Sequence, residues 1–501
     1  MKSASKNMFL AIVARIATII TGIVVQRYIL LSFGSVLNGL TSSITQVMSY
    51  LVLLEAGLGS ASIQALYNPL AQNDWKKISG IITATGKEYK KISSIFVGCL
   101  VAVAIILPFS TLNEVEYSVA SLLTLITGAS SVASYILGGK YKALLNADRK
   151  AYVLYYLDIV TIILSAVLRI VALRMGMGIV IVQFLNLLTV GIKNLGYLVY
   201  VRRKYINIDY KAEPDKKSIS KRWNVLIHSL SGIVVNHTDI IILTIFSSLK
   251  TVSLYSIYNM VFGQMSNMIQ IVFTQAPQAS FGRIYNQDKE EFKKYYLSYE
   301  VAFTVLLCVV VSISFIMILP FVKIYTAGIK DIQYVDNKLQ ILFVLILLMN
   351  QLRVPAIMAI NITGYFKETQ RAAIVEAIIN ITASMFMFFV LDWGIYGLLI
   401  GTIISYLYRT VDVIRFVYRN VLHMKITKFI KMLSVNLLCL GSACYIWGIK
   451  YPIIVNDFSM WFIKACIIGC SICLIFFVGN IIGNKQEIIN GIKSIKKSSK
   501  M

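Results

Sequence analysis

Ten polar or ionisable side chains stand in stretches otherwise apolar enough for lipid: Arg15, Gln26, Arg27, Glu55, Asp158, Lys193, Asp239, Arg353, Glu376 and Arg409. An ionisable group inside a bilayer is costly, so each is read as a ligand contact, a coupling site or half of an ion pair. Arginine suits anions with paired oxygens, because its planar fork donates two parallel hydrogen bonds. Arg15, Thr18, Gly22 and Gln26 recur at helical spacing and form one polar stripe, expected to line a cavity. Arg15, Gln26, Arg27 and Arg353 are therefore the candidate anion and sugar contacts. Glu55 and Asp239 are read as coupling-ion sites or counter-charges to the arginines. Asp158 with Lys193 and Glu376 with Arg409 recur at similar depths in the two halves of the chain and are read as structural ion pairs. Arg169 and Glu300, near the ends of their stretches, are expected to snorkel to the membrane surface.

The elements carrying these residues follow from composition. Of 501 residues, 57% are apolar and 14% charged, with mean hydropathy +0.74. A soluble domain carries about 25% charged residues, which excludes a soluble enzyme, a disordered chain and a secreted disulfide scaffold. A membrane helix needs ~20 mostly apolar residues. Fourteen stretches qualify: 8–31, 37–66, 92–109, 119–139, 152–173, 178–201, 223–247, 253–275, 297–321, 339–363, 372–391, 395–418, 429–449 and 460–482. The first is too long for a cleaved signal, contains Arg15 and Arg27, and is followed by a second span.

The chain carries 48 Lys+Arg against 23 Asp+Glu, net +25. Thirty-five of the basic residues fall in the amino terminus, the even-numbered loops and the tail, and 6 in the odd-numbered loops. This alternation puts both termini and the basic loops in the cytoplasm, against anionic lipid. It accounts for the charge without nucleic acid. Residues 74–92 place Trp75, Ile78, Ile82 and Tyr89 at helical spacing beside lysines and are expected to form an amphipathic helix on the membrane surface. The seven cysteines lie in apolar runs and are read as small buried hydrophobes, the CxxC of Cys470 and Cys473 included. The sequence has no nucleotide loop, no metal-ligand cluster and no channel filter, so no cofactor is expected and ATP does not drive the chain directly.

Leu66-Tyr67-Asn68 recurs as Ile284-Tyr285-Asn286, Asp158 as Glu376 and Gly176 as Gly394, each 218 residues on; Leu107-Pro108-Phe109 recurs as Leu319-Pro320-Phe321. The predicted fold is an all-α integral membrane protein of about fourteen helices, two parallel six-helix repeats plus two carboxy-terminal helices. The domains are 1–201, a basic linker 202–222, 223–419, and 420–501 with the two extra helices and a basic tail. Transporters built this way bind substrate between the halves near the midplane.

Gln26-Arg27, Phe33-Gly34, Asn38-Gly39-Leu40, Ser49-Tyr50-Leu51, Leu54 to Gly59 and Ala65 to Leu70 resemble the start of Wzx-type polysaccharide flippases, of the multidrug/oligosaccharidyl-lipid/polysaccharide exporter superfamily. The motifs span the first 70 residues and the fourteen-span plan covers the rest. The resemblance implies alternating-access export of undecaprenyl-diphosphate-linked oligosaccharide, with basic cavity residues holding the diphosphate. Only Arg27 falls in a family motif; Arg15 and Arg353 rest on depth. The resemblance also implies a polysaccharide polymerase and glycosyltransferases as partners in assembly, in a bacterial cytoplasmic membrane. A lipid II flippase, a drug/cation antiporter of the same superfamily and a membrane scaffold are the rival readings. An antiporter is expected to have twelve spans and carboxylates for its cationic cargo.

Overall fold

The computed structural model describes residues 2–484 except 56, 216–217, 219–222, 271–272, 275 and 451–452. The tail lysines, the basic cluster at 216–222 and the Asn236 side chain lie outside the described residues. The described chain is helical, and it divides into two compact units: Met1–Ser256 with Gly328–Ile332, and Ile257–Ala327 with Gln333–Met501. Among the described residues, eleven helical stretches are long and apolar enough to cross a membrane. The first is broken at Gly34 into two spans, and Trp223–Phe246 and Leu249–Gln270 bring the number to fourteen. This is a multi-pass membrane protein.

The amino-terminal unit contains α1 (Lys2–Leu51), α2 (Leu58–Ala71), α3 (Trp75–Ile106), α4 (Tyr117–Ala133), α5 (Gly139–Ala147), α6 (Ala151–Arg174), α7 (Ile179–Lys204), α8 (Trp223–Phe246) and the start of α9 (Leu249–Gln270). Gly34 turns α1 with φ +75°, a value that favours glycine. The helix restarts at Ser35, whose N–H and hydroxyl donate to the two carboxylate oxygens of Asp331 at 2.9 and 2.7 Å. Beyond the turn, α1 lies along α8 and the start of α9 through a polar ladder. Asn38 donates to Ser253 at 2.7 Å, Ser43 meets Thr244 at 2.6 Å, Gln46 meets His237, and Tyr50 meets Thr238 at 2.6 Å. A Cβ on Gly39 would stand 1.9 Å from the Leu249 carbonyl oxygen, so the Asn-Gly motif marks where two backbones touch.

This ladder explains why the compact units divide at Ser256/Ile257, inside α9, whereas the division expected from the sequence falls at 202–222. The expected division rests on matched motifs, the observed one on packing. The 202–222 segment also does more than connect. Ile208 is buried, the Asp209 amide donates to Ser79 Oγ at 3.0 Å, and the Asp215 amide donates to the Gly80 carbonyl at 3.1 Å. The expectation of a surface-lying helix at 74–92 is corrected. Residues 75–106 form one 32-residue helix, and Ile78, Ile81, Ile82 and Ala84 are fully buried beneath this segment and α2. The apolar periodicity of a surface helix and of one packed on protein is the same; only the partner differs.

The carboxy-terminal unit continues α9 into α10 (Ala276–Gln287), α11 (Lys289–Tyr325), α12 (Asn337–Leu352), α13 (Val354–Thr363), α14 (Phe366–Phe389), α15 (Gly394–Asn420), α16 (Thr427–Cys444) and α17 (Phe458–Gly483). The last two are the extra spans. Asn436 and Asn480 exchange hydrogen bonds between α16 and α17, and Trp461 Nε1 donates to the Met317 carbonyl on α11 at 3.0 Å. Two of the matched positions share a local conformation. Gly176 and Gly394 both have positive φ, and Asp74 and Asp288 both cap the long helix that follows a Tyr-Asn pair.

Asp331 makes a pH prediction. Burial pushes its carboxyl up, but the two Ser35 hydrogen bonds, its own backbone N–H and nearby Lys250 outweigh that, and the net shift is downward. A depressed folded value means its contribution is present above the unfolded value, about pH 3.9, and is lost only as pH falls through the folded one. Asp331→Asn should therefore lower thermal stability by the same small amount at pH 8 and at about pH 5. A cost that disappears between those two pH values would refute the assignment.

Candidate functional site

Each unit gathers charge where its helices are interrupted, and irregular backbone at membrane depth is tolerated where it lies inside protein or lines a cavity. In the amino-terminal unit the second span unwinds into a 3-10 turn at Val52–Glu55, and Gly57 follows at φ +84°. The fourth span contains a π turn at Ser134–Gly138. Between these breaks lie Glu55, Tyr89, Tyr135, Lys142, Asp158, Lys193 and Tyr197, from six different elements. Tyr89 OH donates to Glu55 Oε1 at 2.7 Å, and the Tyr89 ring stacks on Tyr135 at 6.3 Å. Lys193 Nζ lies 3.2 Å from Asp158 Oδ1, which also accepts from Tyr197 OH at 3.1 Å. The two side chains of this pair remain 21% and 29% exposed, so the centre is open on one side.

The glycines of the π turn make room. A Cβ on Gly139 would stand 2.7 Å from the Tyr89 ring, and one on Gly138 would stand 2.1 Å from Asn194 Oδ1. Lys142 lies one helical turn beyond Gly138, with Nζ 5.9 Å from the Tyr197 ring centroid and within electrostatic reach of Lys193, Glu55 and Asp158. Sequence reasoning placed Lys142 in a loop, since Gly139 looked like the end of the fourth span. It also missed Tyr89 as the partner of Glu55. The interruption of both helices by glycine beside tyrosine was the available signal.

Arg15 reaches the same level. Asn7 donates to the Arg149 carbonyl at 3.0 Å and accepts from the Tyr152 amide at 2.8 Å, while Arg174 donates to Tyr28 OH at 2.9 Å. Hence α1 and α6 run side by side in the same direction. At ~1.5 Å per residue Arg15 lies within roughly one turn of Asp158 in depth. Ile12, Ile16, Ile20 and Val24 form the exposed apolar face of α1 at 37% to 57% exposure. The stripe of Arg15, Thr18, Gly22 and Gln26 lies roughly 135° around the helix from it. Nothing lies within 4 Å of a Cβ built on Gly22. The stripe thus borders open space away from the lipid-like face, and Gln26 and Arg27 are half-buried near its far end. Asp239 is 3% exposed and accepts from Tyr255 OH at 3.1 Å.

In the carboxy-terminal unit the break falls at Arg353, between α12 and α13 and two residues before Pro355. Arg353 pairs with Glu376 Oε1, donates to Asn350 at 2.8 Å and stacks over the Tyr406 ring at 4.7 Å. Arg409 Nε lies 3.7 Å from Glu376 Oε2, and its Nη1 donates to Asp412 at 2.9 Å. The side chains of Arg353, Glu376 and Arg409 are 9% to 11% exposed. The structure thus brings Glu376 to both arginines, and Arg353 meets a resident carboxylate where a cargo anion was expected. Glu300 does not snorkel. It is 3% exposed and accepts from Tyr418 at 2.5 Å and Tyr296 at 3.3 Å. Arg169 Nε is buried with no hydrogen-bond partner among the described residues.

No family model and no curated protein sequence matches the chain. Solved structures do. The inward closed conformation of the lipid II flippase MurJ superposes with TM-score 0.65 at 15% identity, covering 94% of this chain and 98% of that one. An inward-facing multidrug resistance MATE transporter of the MOP superfamily gives 0.64 at 12% identity, covering 85% and 95%. A MOP transporter from Pyrococcus furiosus, described by the reverse polarity of its binding pocket, gives 0.56 at 13% identity, covering 82% and 94%. The fold is that of the MOP transporters. On the MOP fold, the two polar centres described above occupy one helical unit each.

Proposed function

We propose that this chain is an alternating-access flippase. It moves undecaprenyl-diphosphate-linked oligosaccharide units from the inner to the outer leaflet for surface polysaccharide synthesis. The observation that carries this reading is the sign of the open centre in the amino-terminal unit. Lys142, Lys193 and Arg15 share its depth with two carboxylates, Glu55 and Asp158, and both carboxylates have resident donors. A cation exporter needs the opposite excess, whereas a diphosphate head group is drawn to surplus basic charge. Arg15 and Arg27 extend the basic surface along α1, and Gln26 offers hydrogen bonds to sugar hydroxyls. The lipid tail stays in the bilayer while the head group crosses. With a negative interior, outward movement of an anion is favoured by ~2.3 kcal/mol per net charge per 100 mV. Lys/Arg asymmetry supports both termini inside, the family resemblance supports a bacterial cytoplasmic membrane, and the basic loops would engage anionic lipid.

A second reading, transport of lipid II, is favoured by the 94% coverage against MurJ, which includes the two extra spans. Complementation separates the two. Rescue of a strain lacking its polysaccharide flippase supports the first, and rescue of a lipid II flippase depletion supports the second. Failure in both, with protein present in the membrane, would discard the flippase reading.

Orientation is tested apart from cargo. Cysteine labelling after Gly34, Glu114, Gly176, Lys250, Lys330, Asp392 and Asp457 should report outside. Two or more of these reporting inside would overturn the topology.

A further inference from the structure

We propose that Lys140, Arg202 and Tyr210 form the head-group site of an anionic phospholipid bound along α7. The site lies within the amino-terminal unit, apart from its polar centre, and does not depend on what the chain transports. What carries it is an apolar stripe on α7 that runs into a cluster of cations and tyrosines.

Leu188, Ile192, Leu195 and Val199 are 44% to 51% exposed. Their spacing of three and four places them on one face of α7, and the next position on that face is Arg202, itself exposed. Lys193, which belongs to the polar centre, lies roughly 130° around the helix from this stripe. A membrane helix offers such a stripe to acyl chains, so Arg202 stands where the chains end and head groups begin.

Two further groups meet it there. Lys140 Nζ and Arg202 Cζ lie 4.9 and 5.9 Å from the centroid of the Tyr210 ring. Lys140 Nζ is also 5.1 Å from the Tyr141 ring, which packs edge-on to Tyr210. The two cations are within repulsive reach of each other, and neither forms an ion pair with a described residue. The Tyr210 hydroxyl is buried with no hydrogen-bond partner among the described residues. Gly86 on α3 makes room for the lysine, since a Cβ there would stand 3.2 Å from Lys140 Cδ and 3.7 Å from its Nζ.

A phosphodiester between the two cations supplies both the counter-charge and the acceptor that this cluster lacks. Arginine grips paired oxygens with its fork, and lysine adds a mobile point charge. Tyr210 belongs to the segment that covers α3 through the Asp209–Ser79 and Asp215–Gly80 hydrogen bonds. A bound head group therefore fastens that segment to α5 and α7. Diffuse attraction of basic loops to a charged surface would not do so.

The experiment uses the purified full chain in detergent, titrated separately with phosphatidylglycerol, phosphatidylcholine and inorganic phosphate. Thermal unfolding and amide hydrogen exchange are the readouts. Phosphatidylglycerol should stabilise the wild type more than phosphatidylcholine does, and should slow exchange across residues 205–215. Arg202→Gln and Lys140→Met should each weaken its apparent affinity by roughly tenfold, the factor for losing one charge-assisted hydrogen bond. Lys204→Gln removes the same charge from another face of α7 and should leave the affinity near that of the wild type. Arg202→Lys should retain most of the affinity, and serves as the second variant if the glutamine protein does not fold. Equal losses in Arg202→Gln and Lys204→Gln would show diffuse attraction and overturn the site. Inorganic phosphate acting as well as phosphatidylglycerol would overturn the lipid as its occupant. Unchanged exchange across 205–215 in the wild type with phosphatidylglycerol would overturn the proposal without any variant.

Discussion

Glu376→Ala should cost the carboxy-terminal unit about 3–5 kcal/mol, because it strands Arg353 and Arg409 in a site from which water is largely excluded. Their side chains are each 11% exposed, and Glu376 faces both. The expected result is a melting temperature in detergent lower by roughly 10 °C, with transport per folded molecule much less affected. Arg353→Ala should behave similarly, since it leaves Glu376 short of its first partner. Asp158→Ala should cost far less, about 1 kcal/mol or below, because Asp158 and Lys193 are 29% and 21% exposed and water can reach both. The comparison is the test. Equal destabilisation at Glu376 and Asp158 would show that exposure does not set the cost. Unchanged stability with lost transport in Glu376→Ala would make Glu376 part of the transport site.

The largest functional effect is expected at Arg15. Arg15→Ala should abolish complementation while protein in the membrane stays near the wild-type level. Arg15→Lys should recover only part of the activity, since it keeps the charge and loses the planar fork. The argument combines the depth match to Asp158, the open space beside Gly22 and the angular separation from the apolar face of α1. Immunoblotting of membranes beside the complementation assay separates lost function from lost protein. Full activity in Arg15→Ala would remove the stripe from the transport path.

Much of the fold was readable because a bilayer imposes a strong pattern. Apolar stretches of fixed length, Lys/Arg alternation and four matched motifs lead to fourteen spans and two repeats. Partner choice was less readable, because charge pairing depends on rotation and tilt that a linear pattern does not contain. Glu376 was matched to Arg409 from depth alone, and the break at Arg353 swings a second guanidinium onto it. Lys142 was assigned to a loop because a glycine pair ended the apolar run, whereas the π turn carries the helix onward through it. Trp75 to Ile92 has the face of a surface helix, and the segment that covers it is far away in sequence and basic. The Asn38-Gly39 motif was recognisable as a string, but its reason is a backbone contact with Leu249 that only the folded chain shows.

The placement of α8 has a consequence for cutting the polypeptide. A nick in the 202–222 segment would fall at the division expected from the sequence, yet the fragment beginning there carries His237, Thr238, Thr244 and Ser253, the far side of the polar ladder on α1. Each fragment alone would be architecturally incomplete, the first lacking a wall and the second holding a helix with nowhere to pack. Expressed together they supply each other's missing surface. The loop that looks like a natural scissor site is thus the division expected from the matched motifs, while the division by packing runs through the middle of a helix, at Ser256.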